Sequence, residues 1–300
     1  MDIEDLRRKH TENVRVLVLQ HSFGITPVKR DEIIQFCKDH SIFLIEDLAH
    51  GYLPQTLHAP TDTSQYAALM SFGRSKLLSS VFGAGIVTPD TKLADHLKKA
   101  VEGLPEAPKF LVLRCLLYKI LLPGIKYTYP VLIGRFAHRL CMLLRLFPRE
   151  ISYAEESGVY DPRYEYAYPE ILANTLVFQL DRLPALLQTI QASVGEYAQH
   201  VPFATPFPTI PLNRFPYLLP PSSDRSHILR HFKKLGIFLG TWYDQPIGPG
   251  KVDMIALQYQ KGSCPNVEDI TKRIMNLPTN VEEDMAQFVA KELTMSLRGM

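Results

Sequence analysis

Val16-Leu17-Val18-Leu19-Gln20-His21-Ser22-Phe23-Gly24 is followed by Ile45-Glu46-Asp47-Leu48-Ala49-His50. Then come Ser71-Phe72-Gly73-Arg74-Ser75-Lys76 and Gly83-Ala84-Gly85-Ile86-Val87-Thr88. Val14–Gln20 is a continuous apolar run of strand length, which predicts a strand covered on both faces. Lys29–His40 reads as a helix, with Ile33, Ile34 and Cys37 at helical spacing. Ile42–Ile45 and Ala67–Phe72 are further short apolar runs. Strands alternating with helices in this way predict a parallel sheet with helices on its faces. Ligands of such sheets sit at the carboxyl ends of the strands. His21, Asp47 and Ser71 all fall at such ends, and Lys76 lies just beyond one.

A carboxylate ending one buried strand and a lysine following another can together hold a pyridine ring, the first at its nitrogen and the second at an aldehyde. Asp47 at a buried strand end needs a cationic partner, because an unpaired buried charge is very costly. Glu46 points the other way along an extended chain and ranks below it. Lys76 is the Schiff-base amine in this scheme, and such an amine must be neutral when it attacks. The plain readings are a lysine opening a turn, a capping carboxylate at Asp47, a capping or surface histidine at His50 and a strand-end hydroxyl at Ser71. His21 precedes Gly24, which allows a tight turn, and is expected to be structural. His227 and His231 sit four apart on a predicted helix without an accompanying carboxylate motif, so no metal site is expected. Gly83-x-Gly85 is too short for a dinucleotide fingerprint and suits close strand packing.

These pieces, in this order and spacing, resemble the DegT/DnrJ/EryC1/StrS aminotransferases. These are fold-type-I pyridoxal-phosphate (PLP) enzymes that aminate keto sugars on nucleotide carriers. Gly262 to Asp269, leading to Ile274-Met275-Asn276-Leu277-Pro278, resembles that family's closing helix and Leu-Pro turn. Ile171-Leu172-Ala173 through Gln179-Leu180-Asp181-Arg182-Leu183 resembles its long linking helix. The resemblance spans nearly the whole chain except roughly residues 104–150. It implies an α/β fold: a fold-type-I PLP-transferase-like sheet, as an incomplete large domain, with a smaller C-terminal α+β domain. Residues 1–103 would be part of the PLP-binding large domain, 104–150 a basic hydrophobic helical insert, and 151–300 the linking helix and small domain. It implies PLP as cofactor, with Lys76 both the covalent anchor and the base for proton transfer. Asp47 would meet the pyridine nitrogen, His50 would lie near the phenolate oxygen, and Ser71 would donate to the phosphate. A nucleotide-linked keto sugar, glutamate as amino donor and a homodimer follow from the same resemblance.

Two departures matter. The family carries an earlier strand, a glycine-rich turn opening a helix, and an aromatic residue that stacks on the ring, all ahead of the position of Asp2. That helix N-terminus supplies most of the phosphate grip. The family also has a Gly-aromatic-Asn-aromatic-Arg stretch before the linking helix, and its Asn reaches the partner subunit's phosphate. Here Arg163-Tyr164-Glu165-Tyr166-Ala167 stands in its place, with Glu165 for Asn and Ala167 for Arg. A carboxylate facing a phosphate is repulsive. A truncated or decayed non-catalytic homologue, serving as a binding or assembly module, is therefore the alternative expectation.

A hydrophobic fraction of 46% in 300 residues is enough for a sizeable core and suggests two domains. A formal net charge of +2 argues for no particular partner, and no nucleic-acid partner is expected. Cys37, Cys115, Cys141 and Cys264 are far apart, which fits a reducing cytoplasm and neither disulfides nor zinc. The polar, acidic start Met1-Asp2-Ile3-Glu4-Asp5 is no secretory signal.

Residues 109–149 hold eight Lys or Arg and no Asp or Glu. Pro123-Gly124 and Pro130 are expected to divide them into two helices. If the second helix ran through, Arg135, Arg139, Arg145 and Arg149 would share one arc of about 120°. That pattern raises peripheral membrane contact, against a packing role on the large domain or a dimer partner. Beyond the acidic, aromatic stretch 151–170, one long helix is predicted from about Pro169 to His200. Short strands over Arg214–Leu219 and Ile237–Trp242 are predicted to alternate with helices at 222–235, 267–275 and 281–297.

Overall fold

The computed structural model describes residues 1–51, 65–202, 210–248 and 252–298. The chain forms two compact units. The first is Met1–Leu122, Leu146–Pro148 and Glu165–Asp181; the second is Pro123–Arg145, Arg149–Tyr164 and Arg182–Met300.

In the first unit, strands β1 (Val16–Gln20), β2 (Phe43–Asp47) and β3 (Tyr66–Ser71) lie side by side and parallel, with Gln20 opposite Asp47 and Asp47 opposite Leu69. Strand β4 (Ala84–Val87) runs antiparallel to β3, and the order across the sheet is β1-β2-β3-β4. Helices α1 (Ile3–Lys9) and α2 (Arg30–Asp39) cover one face. Ile33, Ile34, Phe36 and Cys37 of α2 pack on Leu17, Leu19 and Leu44, burying the inward half of each alternating strand. The other half of β1 is open: Val16 and Val18 are 50% and 52% exposed. The expectation of cover on both faces therefore holds for one face of β1 only.

Helix α3 (Thr91–Glu102) is capped by the Asp90 side chain, which accepts from the backbone of Lys92 and Leu93. Helix α4 (Lys109–Tyr127) continues through Pro123-Gly124, and the chain breaks instead over residues 128–132 before α5 (Ile133–Leu143). Helix α5 ends before two of the four arginines. Leu144 is its C-cap and Arg145 has φ 53°, so Arg145 and Arg149 share no helical face with Arg135 and Arg139. After the single turn α6 (Tyr153–Glu156), the predicted long helix proves to be two, α7 (Glu170–Leu180) and α8 (Leu183–His200). Pro184 explains the restart: it lacks an N–H and suits the first turn of a helix, not its interior.

The second unit is built on α8 and α11 (Glu283–Arg298), with Ile190, Val194 and Tyr197 of the first helix and Val289, Ala290 and Leu293 of the second all buried. The antiparallel pair β5 (Phe215–Leu218) and β6 (Ile274–Leu277) accompanies them, with α9 (Arg225–Lys234) and α10 (Pro265–Arg273). The predicted strand over Ile237–Trp242 does not form. Only Gly240 pairs, with Asn276, and the Asn276 carboxamide takes the Trp242 N–H and donates to the Trp242 carbonyl, replacing a ladder.

Candidate functional site

The carboxyl ends of β2 and β3 bring three of the four sequence-derived residues together. His50, Ser71 and Lys76 line one cleft with Leu48, Ala49, Gly51, Met70, Phe72 and Leu78 around them. The segment after β3 turns sharply: Ser71 Oγ accepts from the Gly73 N–H at 3.3 Å, and the Lys76 N–H bonds the Gly73 carbonyl at 3.1 Å. That turn sets the lysine stem beside Ser71. Ser71, as an acceptor here, keeps its own proton for a ligand.

His50 is buried, and its Nδ1 accepts from the Phe23 N–H at 3.3 Å. In the neutral ring that bond leaves the proton on Nε2. Gly24 allows the two turns to touch. It has φ +91°, and a Cβ there would stand 3.0 Å from the His50 carbonyl oxygen.

Asp47 is placed differently. It is half-buried, and its Oδ1 accepts from the Ala49 N–H at 2.9 Å, so the carboxylate closes its own turn and does not line the cleft. The fully buried carboxylate is Glu46, which sequence reasoning ranked below Asp47. Glu46 receives Arg30 Nε and Nη2 at 2.7 Å each, the Tyr66 hydroxyl at 2.7 Å and His21 Nε2 at 2.9 Å. Burial alone would raise its pKa, but the bonds from His21, Arg30 and Tyr66 prevail and hold it at about 2. One side chain thus ties β1, β2, β3 and α2 together directly beneath Asp47. The signal was present in the sequence: Glu46 is in phase with Leu44, on the face that Ile33 and Ile34 cover.

A second unforeseen pair closes the wall behind the cleft. Tyr168 stacks beside Phe72, ring centres 6.1 Å apart, and bonds the Ser80 hydroxyl. Among the described residues there is no cluster of His, Cys, Asp or Glu that could hold a metal.

The donor set would suit a pyridoxal ring: an amine that could take its aldehyde, a hydroxyl that could reach its phosphate and an imidazole N–H. The cleft itself has a volume of only ≈ 10 Å³, about one water, so its walls must move apart to admit a ring.

Residues 1–109 match the DegT/DnrJ/EryC1/StrS aminotransferase family. Over 102 residues the chain is 24% identical to the uncharacterized protein MJ1066 of Methanocaldococcus jannaschii, a match that spans 33% of this chain and 25% of that one. Three solved structures share the fold along almost the whole chain. DesV of S. venezuelae, in complex with a ketimine intermediate, has a TM-score of 0.65 at 17% identity, covering 99% of this chain and 69% of its own. PseC of Helicobacter pylori, an aminotransferase involved in the biosynthesis of pseudoaminic acid, gives 0.66 at 16%, with 100% and 71% covered. The E. coli GDP-4-keto-6-deoxy-D-mannose-3-dehydratase with bound hydrated PLP gives 0.62 at 16%, with 98% and 71% covered. Over almost the whole chain the fold is therefore the α/β fold of these solved structures, with the family match itself confined to residues 1–109.

Proposed function

We propose that this protein is a PLP-dependent aminotransferase that transfers an amino group, with glutamate as donor, to a ketone on a nucleotide-linked sugar. The observation that carries the reading is the single cleft in which Lys76, Ser71 and His50 meet at the ends of β2 and β3.

PLP, when bound, supplies the aldehyde that carries the amino group and the ring that draws off electrons. The residues have separable tasks. Lys76 Nζ would hold the aldehyde and could serve as the base that moves a proton at the substrate carbon. The Ser71 hydroxyl donates to the phosphate. His50, its Nδ1 held by the Phe23 N–H, would have an Nε2–H to offer the ring oxygen. Asp47, which lies outside the cleft lining, would have to turn its carboxylate from the Ala49 N–H, or share it, to hold the ring nitrogen's proton. The same reading places the protein in the cytoplasm as a homodimer. It assigns residues 1–103 to cofactor binding, 104–150 to an insert with peripheral membrane contact through 109–149, and 151–300 to the linking helix and small domain.

The narrow cleft and Glu165 in place of an asparagine support a second reading, a non-catalytic homologue that serves as a binding or assembly module. Reduction with borohydride in the presence of PLP, followed by peptide mapping, separates the two. The catalytic reading requires the label on Lys76 and its loss in Lys76→Ala. A label elsewhere, or none, selects the second reading.

A further inference from the structure

Helix α5 carries its apolar stripe on the outside. Ile133, Phe136, Leu140 and Leu143 follow one another at helical spacing within an arc of about 80°. They are 64%, 71%, 42% and 79% exposed. The inward side is held by Gly134 and Cys141. Gly134 lies so close to the end of α4 that a Cβ there would stand 2.1 Å from the Ile125 carbonyl oxygen. That close approach fixes which side of α5 faces out. The flanking residues continue the stripe: Tyr127, Val131, Leu132 and Leu144 are all exposed. Arg139 lies about 40° beyond the Leu143 edge of the stripe and Arg135 about 80° beyond it; both are exposed, and Arg135 lies 5.3 Å from the Tyr129 ring centre. No acidic residue occurs between Glu106 and Glu150.

We infer that α5 is an interfacial helix that docks on an anionic lipid surface, with Ile133, Phe136, Leu140 and Leu143 in the acyl boundary and Arg135 and Arg139 among the headgroups. The inference deepens the membrane contact proposed above and does not depend on the cofactor. Charge decides the occupant. A second copy meeting the stripe through the same segment, which has no acidic residue, would offer Arg135 and Arg139 no carboxylate partner. An anionic headgroup layer complements them. Among the described residues no helix is long and apolar enough to cross a membrane, so the contact lies in the plane of the surface.

The test is cosedimentation of the full chain with vesicles of phosphatidylcholine alone and of phosphatidylcholine with phosphatidylglycerol. Phe136→Ser with Leu143→Ser removes the apolar anchor at exposed positions, and circular dichroism confirms that the fold survives. Arg135→Gln with Arg139→Gln removes the charge. The expected result is binding to the anionic vesicles, weakened about tenfold or more by the first pair and roughly 30-fold by the second, with the arginine pair unchanged on neutral lipid. Absence of vesicle binding, or equal binding by the parent and both variants, overturns the inference. So does a wild-type dimer that the serine pair dissociates without any vesicle binding, since a second copy would then cover the stripe. None of these outcomes bears on labelling of Lys76.

Discussion

Arg30 and Glu46 meet as a fork, with Nε on one carboxylate oxygen and Nη2 on the other, both at 2.7 Å. The pair lies sixteen residues apart in sequence but joins the start of α2 to the end of β2. His21 and Tyr66 complete the ring around the carboxylate. Removing one member of such a buried pair typically costs about 3–5 kcal/mol, because its partner is left charged and unmatched.

Glu46→Gln is therefore expected to lower stability by about 3 kcal/mol at neutral pH. The pH dependence has a definite sign. The folded pKa, about 2, lies below the ordinary 4.5, so the stabilisation is full above 4.5 and is lost as pH falls toward 2. Urea midpoints followed by far-ultraviolet circular dichroism from pH 7 to pH 3 measure this. The gap between parent and variant should shrink as the acid is added. A gap that stays constant would show that the carboxylate's charge is not what Arg30 and Tyr66 hold.

The sheet was legible because its strands are apolar runs between clear helical periods, and the site because ligand groups collect at strand ends. The linking segment is two helices and not one because Pro184 opens a new first turn. Helical periodicity continues across Asp181-Arg182, but a proline near a helix start signals a new first turn. Alternation along the strand correctly sends Glu46 and Asp47 to opposite sides, but it does not say which side holds the buried partners. The structure supplies the side: Glu46 lies under the helices and Asp47 at the rim. The predicted second-unit strand does not form because its bonds go to one residue, Gly240 to the Asn276 backbone and Trp242 to the Asn276 side chain, and a sequence pattern carries no signal for that.

Gly83 is expected to tolerate no side chain. It has φ +113°, and a Cβ would lie 2.2 Å from the Tyr168 ring. Its carbonyl also accepts the Phe72 N–H, which steadies the segment that presents Lys76. Gly83→Ala adds left-handed strain to a ring clash, for a loss of about 2 kcal/mol or more. Thermal melting of the variant checks this. Gly83→Ala with Tyr168→Ala should recover part of the loss, and failure to do so would assign the cost to the backbone alone.

Among the described residues, Val16 and Val18 leave an apolar face open on β1, and β1 has a neighbouring strand, β2, on one side only. Such an edge promotes association. Val18→Lys changes only an exposed side and should reduce concentration-dependent association, measured by sedimentation velocity, without lowering the melting temperature. A variant that associates as strongly as the parent would place the contact elsewhere.

Asp47→Asn separates the turn from the cofactor. The Asp47 carboxylate oxygen accepts the Ala49 N–H, and an asparagine carboxamide can accept it equally well in the same Asx turn. The fold should therefore keep its stability within about 0.5 kcal/mol. The negative charge is lost, and with it the partner for a protonated ring nitrogen. PLP should then bind at least tenfold more weakly, a shift of about 1.4 kcal/mol, read by titration of visible absorbance near neutral pH. Asp47→Ala should show the same cofactor defect plus a loss of about 1 kcal/mol in stability, because the turn loses its acceptor. If Asp47→Asn binds PLP as tightly as the parent and with the same absorbance maximum, the Asp47 carboxylate serves only its own turn, and the ring nitrogen must find its partner elsewhere.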